Sequence, residues 1–308
     1  MILAGTKDPV VTDPSAVPWS GASFSAALER AGYFADDSIA TACHLALRMR
    51  RPIFCEGDPG VGKTSLAQAV AQVLGWPLFR MQCYEGLGAA EALYDWNFPA
   101  QLLHLRAAES AGLTDLARIE SELYERRFLL PRPVLRSLES APSVLLIDEI
   151  DRADDEFEAF LLEVLSDFSV SIPELGTIKA SVPPFVVLTS NRTREVHDAL
   201  KRRCLYLWVE HPSPARELTI LKARFPALPH RLAEQIVAAV QRLRRADLMK
   251  PPGVAESLDW AEALIALDAP DLDERTSALT LGAVVKYRED QERLSKAGFA
   301  FALGTNKA

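Results

Sequence analysis

Short apolar runs alternate along the chain with segments in which apolar residues recur every three or four positions. The runs predict buried strands, because each is too short for a typical helix and each is bounded by proline, glycine or polar residues. They are Pro52–Cys55, Pro77–Met81, Ser143–Ile150, Phe185–Ser190 and Cys204–Val209. Strands that alternate with helices predict a parallel sheet covered on both faces, and therefore an α/β fold.

The strand pattern stops near Pro212, and only helical periodicity follows it. The predicted helices are Ala215–Arg224, His230–Arg245, Ser257–Leu267 and Glu274–Glu292. Trp208 and Trp260 are expected to anchor the core, as large aromatic side chains usually do. We therefore expect three parts, which are an N-terminal arm (1–23), an α/β core (24–212) and an α-helical C-terminal region (213–308).

One glycine-rich segment predicts a phosphate-binding loop. Gly57–Thr64 matches the pattern G-x-x-x-x-G-K-[ST] and lies between a predicted strand and a helix that starts at Gly62 or Lys63. Glycines allow the loop to turn backbone N–H groups towards an anion, and the helix N-terminus adds partial positive charge. Lys63 is expected to reach the β- and γ-phosphates, and Thr64 to hold Mg²⁺. The predicted nucleotide-binding residues are Gly57, Asp58, Pro59, Gly60, Val61, Gly62, Lys63, Thr64 and Ser65.

Polar residues follow two of the predicted strands. Asp148 and Glu149 end the run Ser143–Ile147, and Asn191 follows Phe185–Ser190. Asp148 is expected to join Thr64 in the Mg²⁺ shell, and Glu149 to orient or deprotonate the attacking water. Asn191 is expected to reach the γ-phosphate or that water. A second acid beside Asp148 favours hydrolysis over passive nucleotide binding.

Charge and cysteine content narrow the function classes. Lys and Arg number 34 against 42 Asp and Glu, so the net charge is −8. An acidic chain is a poor candidate for coating nucleic acid, which needs a basic face. The cysteines are widely spaced and predict reduced thiols in a cytoplasmic protein rather than a zinc site. No apolar run approaches the length of about 18 residues that a transmembrane helix needs, so we expect no such segment.

The order of these motifs resembles that of AAA+ ATPases, and finer matches resemble the MoxR family. The matching stretches are Glu56–Thr64, Gln82–Gly86, Leu93–Asn97, Ile147–Ala153, Ile172–Thr177 and Asp198–Cys204. The resemblance covers about residues 24–265. Leu93–Asn97 and Ile172–Thr177 also resemble the subgroup of the CoxD metal-cluster maturation ATPase, which acts on molybdenum hydroxylases.

The resemblance implies a P-loop core with a five-stranded parallel sheet in the order 5-1-4-3-2 and a C-terminal helical lid. It implies an oligomeric ring, usually a hexamer, with ATP between subunits and an arginine supplied by the neighbouring copy. Arg202 and Arg203 are both candidates, and Arg203 is favoured because it directly precedes a predicted strand. Arg152 is a weaker interface candidate. The implied partners are a von Willebrand A domain protein and a client metalloenzyme.

Two insertions resemble those of the same clade, and one expected residue is missing. Tyr84–Gln101 and Phe168–Lys179 are interpreted as a protruding turn or hairpin and as a hairpin, and both are candidate client contacts. Many relatives carry an arginine at the start of a lid helix. The equivalent stretch here, Gly253–Trp260, contains none, which leaves the coupling of lid and nucleotide open.

Two function classes remain open. The first is Mg²⁺-dependent ATP hydrolysis that drives chaperone-like remodelling, or metal-cofactor maturation, of a client protein. The alternative is a nucleotide-gated binding or scaffold module with slow, incidental hydrolysis. A DNA-directed motor is a third possibility that the acidic net charge disfavours.

Overall fold

The computed structural model describes residues 21–112 and 115–297. The expected N-terminal arm therefore lies almost wholly outside the described residues, as does the end of the expected C-terminal region.

The strands are β1 (Ile53–Glu56), β2 (Leu78–Gln82), β3 (Tyr94–Trp96), β4 (Leu129–Pro131), β5 (Val144–Asp148), β6 (Ser169–Ile172), β7 (Gly176–Lys179), β8 (Phe185–Ser190) and β9 (Leu205–Trp208).

Helices precede, separate and follow these strands. Before residue 210 they are α1 (Gly21–Arg30), α2 (Asp37–Met49), α3 (Lys63–Leu74), α4 (Ala89–Leu93), α5 (Phe98–Ser110), α6 (Leu116–Leu123), α7 (Pro133–Glu139), α8 (Asp155–Asp167) and α9 (Asp198–Arg203). The C-terminal helical region contains α10 (Pro214–Arg224), α11 (His230–Arg245), α12 (Val254–Ala266), α13 (Glu274–Val284) and α14 (Arg288–Ala297).

Five parallel strands form the central sheet in the order β2-β5-β8-β1-β9. Counted among themselves in chain order and read from the β9 edge, these strands have the order 5-1-4-3-2, which confirms the predicted fold class. The strands β1, β5 and β8 are buried along their whole length. Because the carboxyl ends of parallel strands meet at one edge of the sheet, β1, β5 and β8 bring the loop after β1, the acids after β5 and the amide after β8 together.

Separate apolar cores cover the two faces of the sheet. Helices α1, α2 and α3 pack on one face through residues such as Phe24, Cys43 and Leu66. Helices α7 and α8 pack on the other face through residues such as Leu135 and Phe157. The C-terminal helical region has a third core of its own, as expected of an α-helical lobe.

The last predicted helix, Glu274–Glu292, is wrong as a single element. α13 ends at Val284, and Val285 adopts an extended conformation before α14 starts. Val285 is buried in the helical core, and the buried carboxylate of Asp290 accepts hydrogen bonds from the backbone N–H groups of Met249 and Lys250. These long-range contacts favour a break that helical periodicity alone does not reveal.

The predicted hairpin at Phe168–Lys179 is confirmed, because β6 and β7 pair as antiparallel strands. Of the two alternatives predicted for Tyr84–Gln101, a turn is present, since the Leu87 N–H donates to the carbonyl oxygen of Tyr84, but a hairpin is wrong. That segment forms α4 and β3 and enters α5, and β3 pairs with the distant β4, with Tyr94 opposite Pro131. Its partner strand follows α5 and α6, so local turn signals could not identify it.

The two tryptophans differ in burial. Trp260 is 1% exposed and donates a hydrogen bond from Nε1 to Thr280 Oγ1 at 2.7 Å, which confirms it as a core residue. The same prediction for Trp208 is wrong. Trp208 lies on the edge strand β9, is 37% exposed, and packs under the guanidinium of Arg192.

Candidate functional site

The loop from Gly57 to Gly62 joins β1 to α3 and requires glycine at defined positions. Gly57, Gly60 and Gly62 have φ values of 157°, 80° and 100°, which side chains disfavour. A Cβ on Gly57 would lie 2.3 Å from the carbonyl oxygen of Val209. The loop therefore folds tightly against the chain after β9. It leads directly into the N-terminus of α3, where the first N–H groups lack intrahelical partners and favour an anion.

Lys63 is held inside this loop. Its side chain is almost fully buried, and Nζ donates hydrogen bonds to the carbonyl oxygens of Gly57 at 2.7 Å and Asp58 at 2.8 Å. Burial lowers the pKa of Lys63, since removing the ammonium from water disfavours its charged form. An anion in the loop would offset this effect by stabilising the charged form.

Asp148 is the most heavily hydrogen-bonded carboxylate of the site. Thr64 Oγ1 lies 3.0 Å from its Oδ1, and Thr189 Oγ1 donates to Oδ1 at 2.6 Å. Arg80, on the edge strand β2, donates to Oδ2 from Nη2 at 2.7 Å and from Nε at 3.1 Å. Thr64 and Asp148, which the sequence analysis expects around Mg²⁺, are in direct contact. Arg80 and Thr189 were not predicted.

Glu149 has a backbone conformation that side chains seldom adopt. Its φ is 56°, and its N–H donates to Thr189 Oγ1 at 2.9 Å. The left-handed region costs a non-glycine residue about 1–2 kcal/mol, and such outliers cluster at functional sites. Its carboxylate contacts Arg152 Nε through Oε2 at 2.9 Å and lies 3.4 Å from Asn191 Nδ2 through Oε1. Arg152, expected as a weak interface candidate, therefore contacts the predicted catalytic acid of its own chain.

Asn191 is positioned by a buried acid that sequence reasoning missed. Asp151 is 3% exposed and accepts hydrogen bonds from the backbone N–H groups of Asn191 and Thr193. Thr193 Oγ1 also donates to Asp151 Oδ2 at 2.7 Å. The acidic stretch after β5 indicated polarity here, but only the fold shows that Asp151 supports the loop after β8.

Two adjoining cavities, which we call the cleft, share part of their lining. The smaller, about 290 Å³, is lined by the predicted residues Lys63, Thr64, Asp148, Glu149 and Asn191. The larger, about 390 Å³, is lined mainly by apolar side chains. Its walls include Tyr33, Phe34, Ile39, Val209, Arg216 and Ile220. The two cavities share Gly62, Ser65, Val254 and Leu258, so a polar chamber lies beside an apolar one.

The C-terminal helical region closes the cleft through backbone contacts. The N–H groups of Val254 and Ala255, which begin α12, donate to the carbonyl oxygen of Gly60 at 3.0 and 3.3 Å. A Cβ on Gly253 would lie 2.8 Å from the carbonyl oxygen of Pro59. This is the stretch in which no arginine was found. Its contact with the loop after β1 is made by main chain and glycine instead.

A charged contact also joins the helical region to the core. Arg216 on α10 pairs with Asp36, the residue that caps α2, at 3.3 Å beside the apolar cavity. The pKa of Asp36 is lowered: burial raises it, but hydrogen bonds from Ser38 and the Ile39 N–H, together with Arg216, outweigh that effect.

Arg202 and Arg203 are separate from the cleft. They end α9, and neither lines either cavity. Arg203 Nη1 donates to the carbonyl oxygen of Leu162, whereas the exposed side chain of Arg202 has no hydrogen bond or ion pair to the residues the structure describes. The structure thus brings together every predicted site residue except this arginine pair.

The cleft fits a nucleoside triphosphate with magnesium. Its polar chamber has the loop, Lys63 and a helix N-terminus for phosphates, and its apolar chamber suits a base. Within the described residues no three His, Cys, Asp or Glu side chains group as a metal site. Mg²⁺ in phosphate sites needs only one or two protein oxygens beside phosphate and water, and Thr64 and Asp148 supply such oxygens.

Comparison with known proteins agrees with this geometry. Residues 52–204, about half the chain, match the model of the AAA domain of the dynein-related subfamily. The chain is 32% identical over 127 residues to the protein MoxR of Methylorubrum extorquens, covering 41% of this chain and 30% of that protein. It is 43% identical over 61 residues to Midasin of Giardia intestinalis, covering 19% of this chain and 1% of that protein.

A similarity among solved structures is weaker. A mutant of RuvB from Thermotoga maritima aligns with a TM-score of 0.48 and 18% identity, covering 82% of this chain and 70% of that one. The match to MoxR spans less than a third of the length of that relative. Across residues 21–112 and 115–297, no helix combines the length and apolar character needed to cross a membrane.

Proposed function

We propose that this chain, whose residues 52–204 are an AAA domain of the dynein-related subfamily and which is similar to MoxR, is an ATPase that uses Mg²⁺-dependent hydrolysis to remodel a client protein. The observation that carries the proposal is the shared lining of one cavity by Lys63, Thr64, Asp148, Glu149 and Asn191. This set has a cation for phosphate, oxygens for a metal and a carboxylate for water. A passive nucleotide site does not need the last of these.

Each residue of the cleft has its own role in the proposed reaction. Lys63 binds the β- and γ-phosphates and stabilises the negative charge that develops on the γ-phosphoryl oxygens. Thr64 Oγ1 and Asp148 would hold Mg²⁺, which would supply further charge neutralisation when bound. Arg80 and Thr189 orient the carboxylate of Asp148, because each donates a hydrogen bond to it.

Glu149 activates the water for in-line attack on the γ-phosphorus. Arg152 holds Oε2 of this carboxylate, and Oε1 faces Asn191 Nδ2. Oε1 is therefore the atom that orients the water and accepts its proton. Asn191 contacts the water or the γ-phosphate. Loss of that contact after hydrolysis is transmitted through the loop after β8 and through Asp151, which binds the backbone of that loop.

The site is completed by a second copy in a ring, which we propose to be a hexamer. Arg202 and Arg203 lie outside the cleft of their own chain, and hydrolysis gains from an arginine that reaches the γ-phosphate. Arg202 is the better candidate of the two, since Arg203 is bonded to Leu162 of its own chain. This reverses the preference that the sequence alone suggested.

The client side of the proposal rests on the similarity to MoxR and on the insertions. Phe98, Leu102 and Leu103 on α5 are more than half exposed, and the hairpin β6–β7 exposes Ser171, Gly176 and Thr177. We propose that the client is a metalloenzyme. A partner with a von Willebrand A domain would assist in the insertion of its cofactor. A cytoplasmic location is proposed with it, supported by four buried cysteines that form no disulfide.

A trapping experiment tests the remodelling function against the scaffold alternative. Glu149→Gln retains the shape of the site but removes the base, so it should hold ATP and its client together. Affinity capture from the source cell with Mg²⁺ and ATP should recover a metalloenzyme or its partner with Glu149→Gln. Glu163→Gln, an exposed substitution on α8, is the matched control and should behave as the wild type.

Three further measurements test the proposal and its alternatives. Sedimentation with ATP should show a ring-sized species, and a strict monomer at high concentration would contradict a shared site. If Glu149→Gln supports client activity as well as the wild type does, hydrolysis is incidental and the scaffold alternative is correct. Stimulation of hydrolysis by DNA at modest salt would instead favour a DNA-directed motor.

A further inference from the structure

Arg51, just after α2, binds the end of α9, which is about 150 positions away in the sequence. Its Nη2 donates to the carbonyl oxygen of Arg202 at 2.6 Å and to that of Cys204 at 3.3 Å. Its Nε donates to the carbonyl oxygen of Arg203 at 3.0 Å. One guanidinium thus binds three successive carbonyls. Carbonyls at a helix C-terminus lack intrahelical partners and carry partial negative charge, so this contact satisfies them.

The contact has a large effect on a short helix. α9 has only six residues, too few to be stable in isolation, and Leu200 is its only buried side chain. The three hydrogen bonds fix the backbone of Arg202 and Arg203 relative to β1, which starts two residues after Arg51. The exposed side chain of Arg202 is then free to point away from the chain while its backbone is held.

The residue type that makes this contact is informative. A side chain with a single N–H or O–H donor could satisfy only one of these carbonyls. A guanidinium, however, offers a rigid fork of donors that several carbonyls can share, and a lysine ammonium does not. The fork is therefore suited to setting the position and direction of the two arginines that follow.

We propose that Arg51 is a positioning residue for hydrolysis in the neighbouring subunit: it holds the Arg202–Arg203 pair at the place from which an arginine reaches the γ-phosphate bound by the next copy. This inference rests on the proposed function. It assigns to Arg51 a role in trans, so the cleft affected by its loss belongs to another chain.

Arg51→Ala and Arg51→Lys test the role in steady-state kinetics. Misplacement by about 1 Å can lower a rate by about 100-fold, so we expect kcat to fall at least about 10-fold in both variants. The Kd for ATP should stay within about two-fold, since the cleft of each chain is intact. Arg50→Gly is the matched control, because it removes the neighbouring charge at a position with φ of 53° where glycine is unstrained. It should leave kcat unchanged.

Mixing of subunits separates this role from a merely structural one. Arg51→Ala subunits retain Lys63, and Lys63→Ala subunits retain a correctly held arginine pair. A mixed ring pairs an intact cleft with an intact arginine pair at some interfaces. The mixture should therefore hydrolyse ATP faster than the sum of the two proteins assayed apart.

The outcomes are distinguishable. Absence of rescue in a mixture that forms rings, or unchanged kcat in both Arg51 variants, would overturn the inference while leaving the ATPase proposal intact. If Arg51→Ala does not fold, Arg51→Lys carries the same mixing test with the charge retained. If the wild type itself neither assembles nor hydrolyses ATP, the proposed function is contradicted, and the role of Arg51 with it.

Discussion

Gly253→Ala probes how the helical region closes on the phosphate-binding loop. The added Cβ would lie 2.8 Å from the carbonyl oxygen of Pro59 and 3.0 Å from the carbonyl carbon of Gly60. The φ of Gly253 is −82°, which alanine accepts, so the penalty comes from close approaches, which also include Glu256 Oε2 at 2.9 Å. Restoring an ordinary carbon–oxygen contact of about 3.4 Å requires a shift of about 0.6 Å.

That shift acts on two hydrogen bonds. The N–H groups of Val254 and Ala255 bind the carbonyl oxygen of Gly60. A hydrogen bond contributes about 1 kcal/mol net, so the loss of both costs about 1–2 kcal/mol, which is a factor of about 5–30 in the ratio of the closed to the open form. We expect the Kd for ATP to rise by up to the same factor in a calorimetric or fluorescent-nucleotide titration, because the apparent Kd is the intrinsic value divided by the closed fraction.

Gly88→Ala is the control for this measurement. Gly88 also precedes a helix, with φ of −81°, but a Cβ there would have no neighbour within 4 Å. Both substitutions place alanine at a helix N-cap, so any general effect of that change is shared. If Gly253→Ala and Gly88→Ala bind ATP equally well, the contact between α12 and the loop does not contribute to nucleotide binding.

Three further predictions concern buried groups. Arg244→Met leaves the buried Glu217 carboxylate without its cation and should lower the free energy of unfolding by about 3–5 kcal/mol in a denaturant titration, with recovery when Glu217→Leu is added. An unchanged midpoint would refute this. The cysteine thiols are buried, and burial raises the pKa of Cys55, Cys83 and Cys204 to about 12. A thiol reagent at pH 8 should therefore label them only after unfolding, and rapid native labelling would contradict their burial. Burial lowers the pKa of His211, so the unfolded state binds more protons below about pH 6.5 and stability falls as the pH drops through that range. His211→Gln should flatten this part of the stability profile, and an unchanged profile would count against it.

The polar chamber could be predicted from the sequence because its residues follow buried strands. Each strand is a continuous apolar run, and Lys63, Asp148 and Asn191 come at or just after the carboxyl ends of parallel neighbours. Once the sheet order is known, their meeting is a geometric consequence. The glycine-rich pattern also predicted the start of α3, which begins at Lys63.

Other parts of the site depend on contacts between distant segments. Arg80 lies on an edge strand, and only the pairing of Gln82 with Asp148 brings it to the acid. The apolar chamber is assembled from residues before β1, after β9 and on α10, which share no local pattern. Gly253 carries no side chain at all. Its importance follows from an approach of main chain to main chain, which residue types do not encode.

Release of inorganic phosphate from ATP tests the central claim most directly. The wild type with Mg²⁺ should liberate phosphate, Glu149→Gln should bind ATP with little loss of affinity but liberate almost none, and Lys63→Ala should bind ATP poorly. The account would be contradicted if the wild type neither binds ATP nor releases phosphate, or if Glu149→Gln hydrolyses ATP at the wild-type rate.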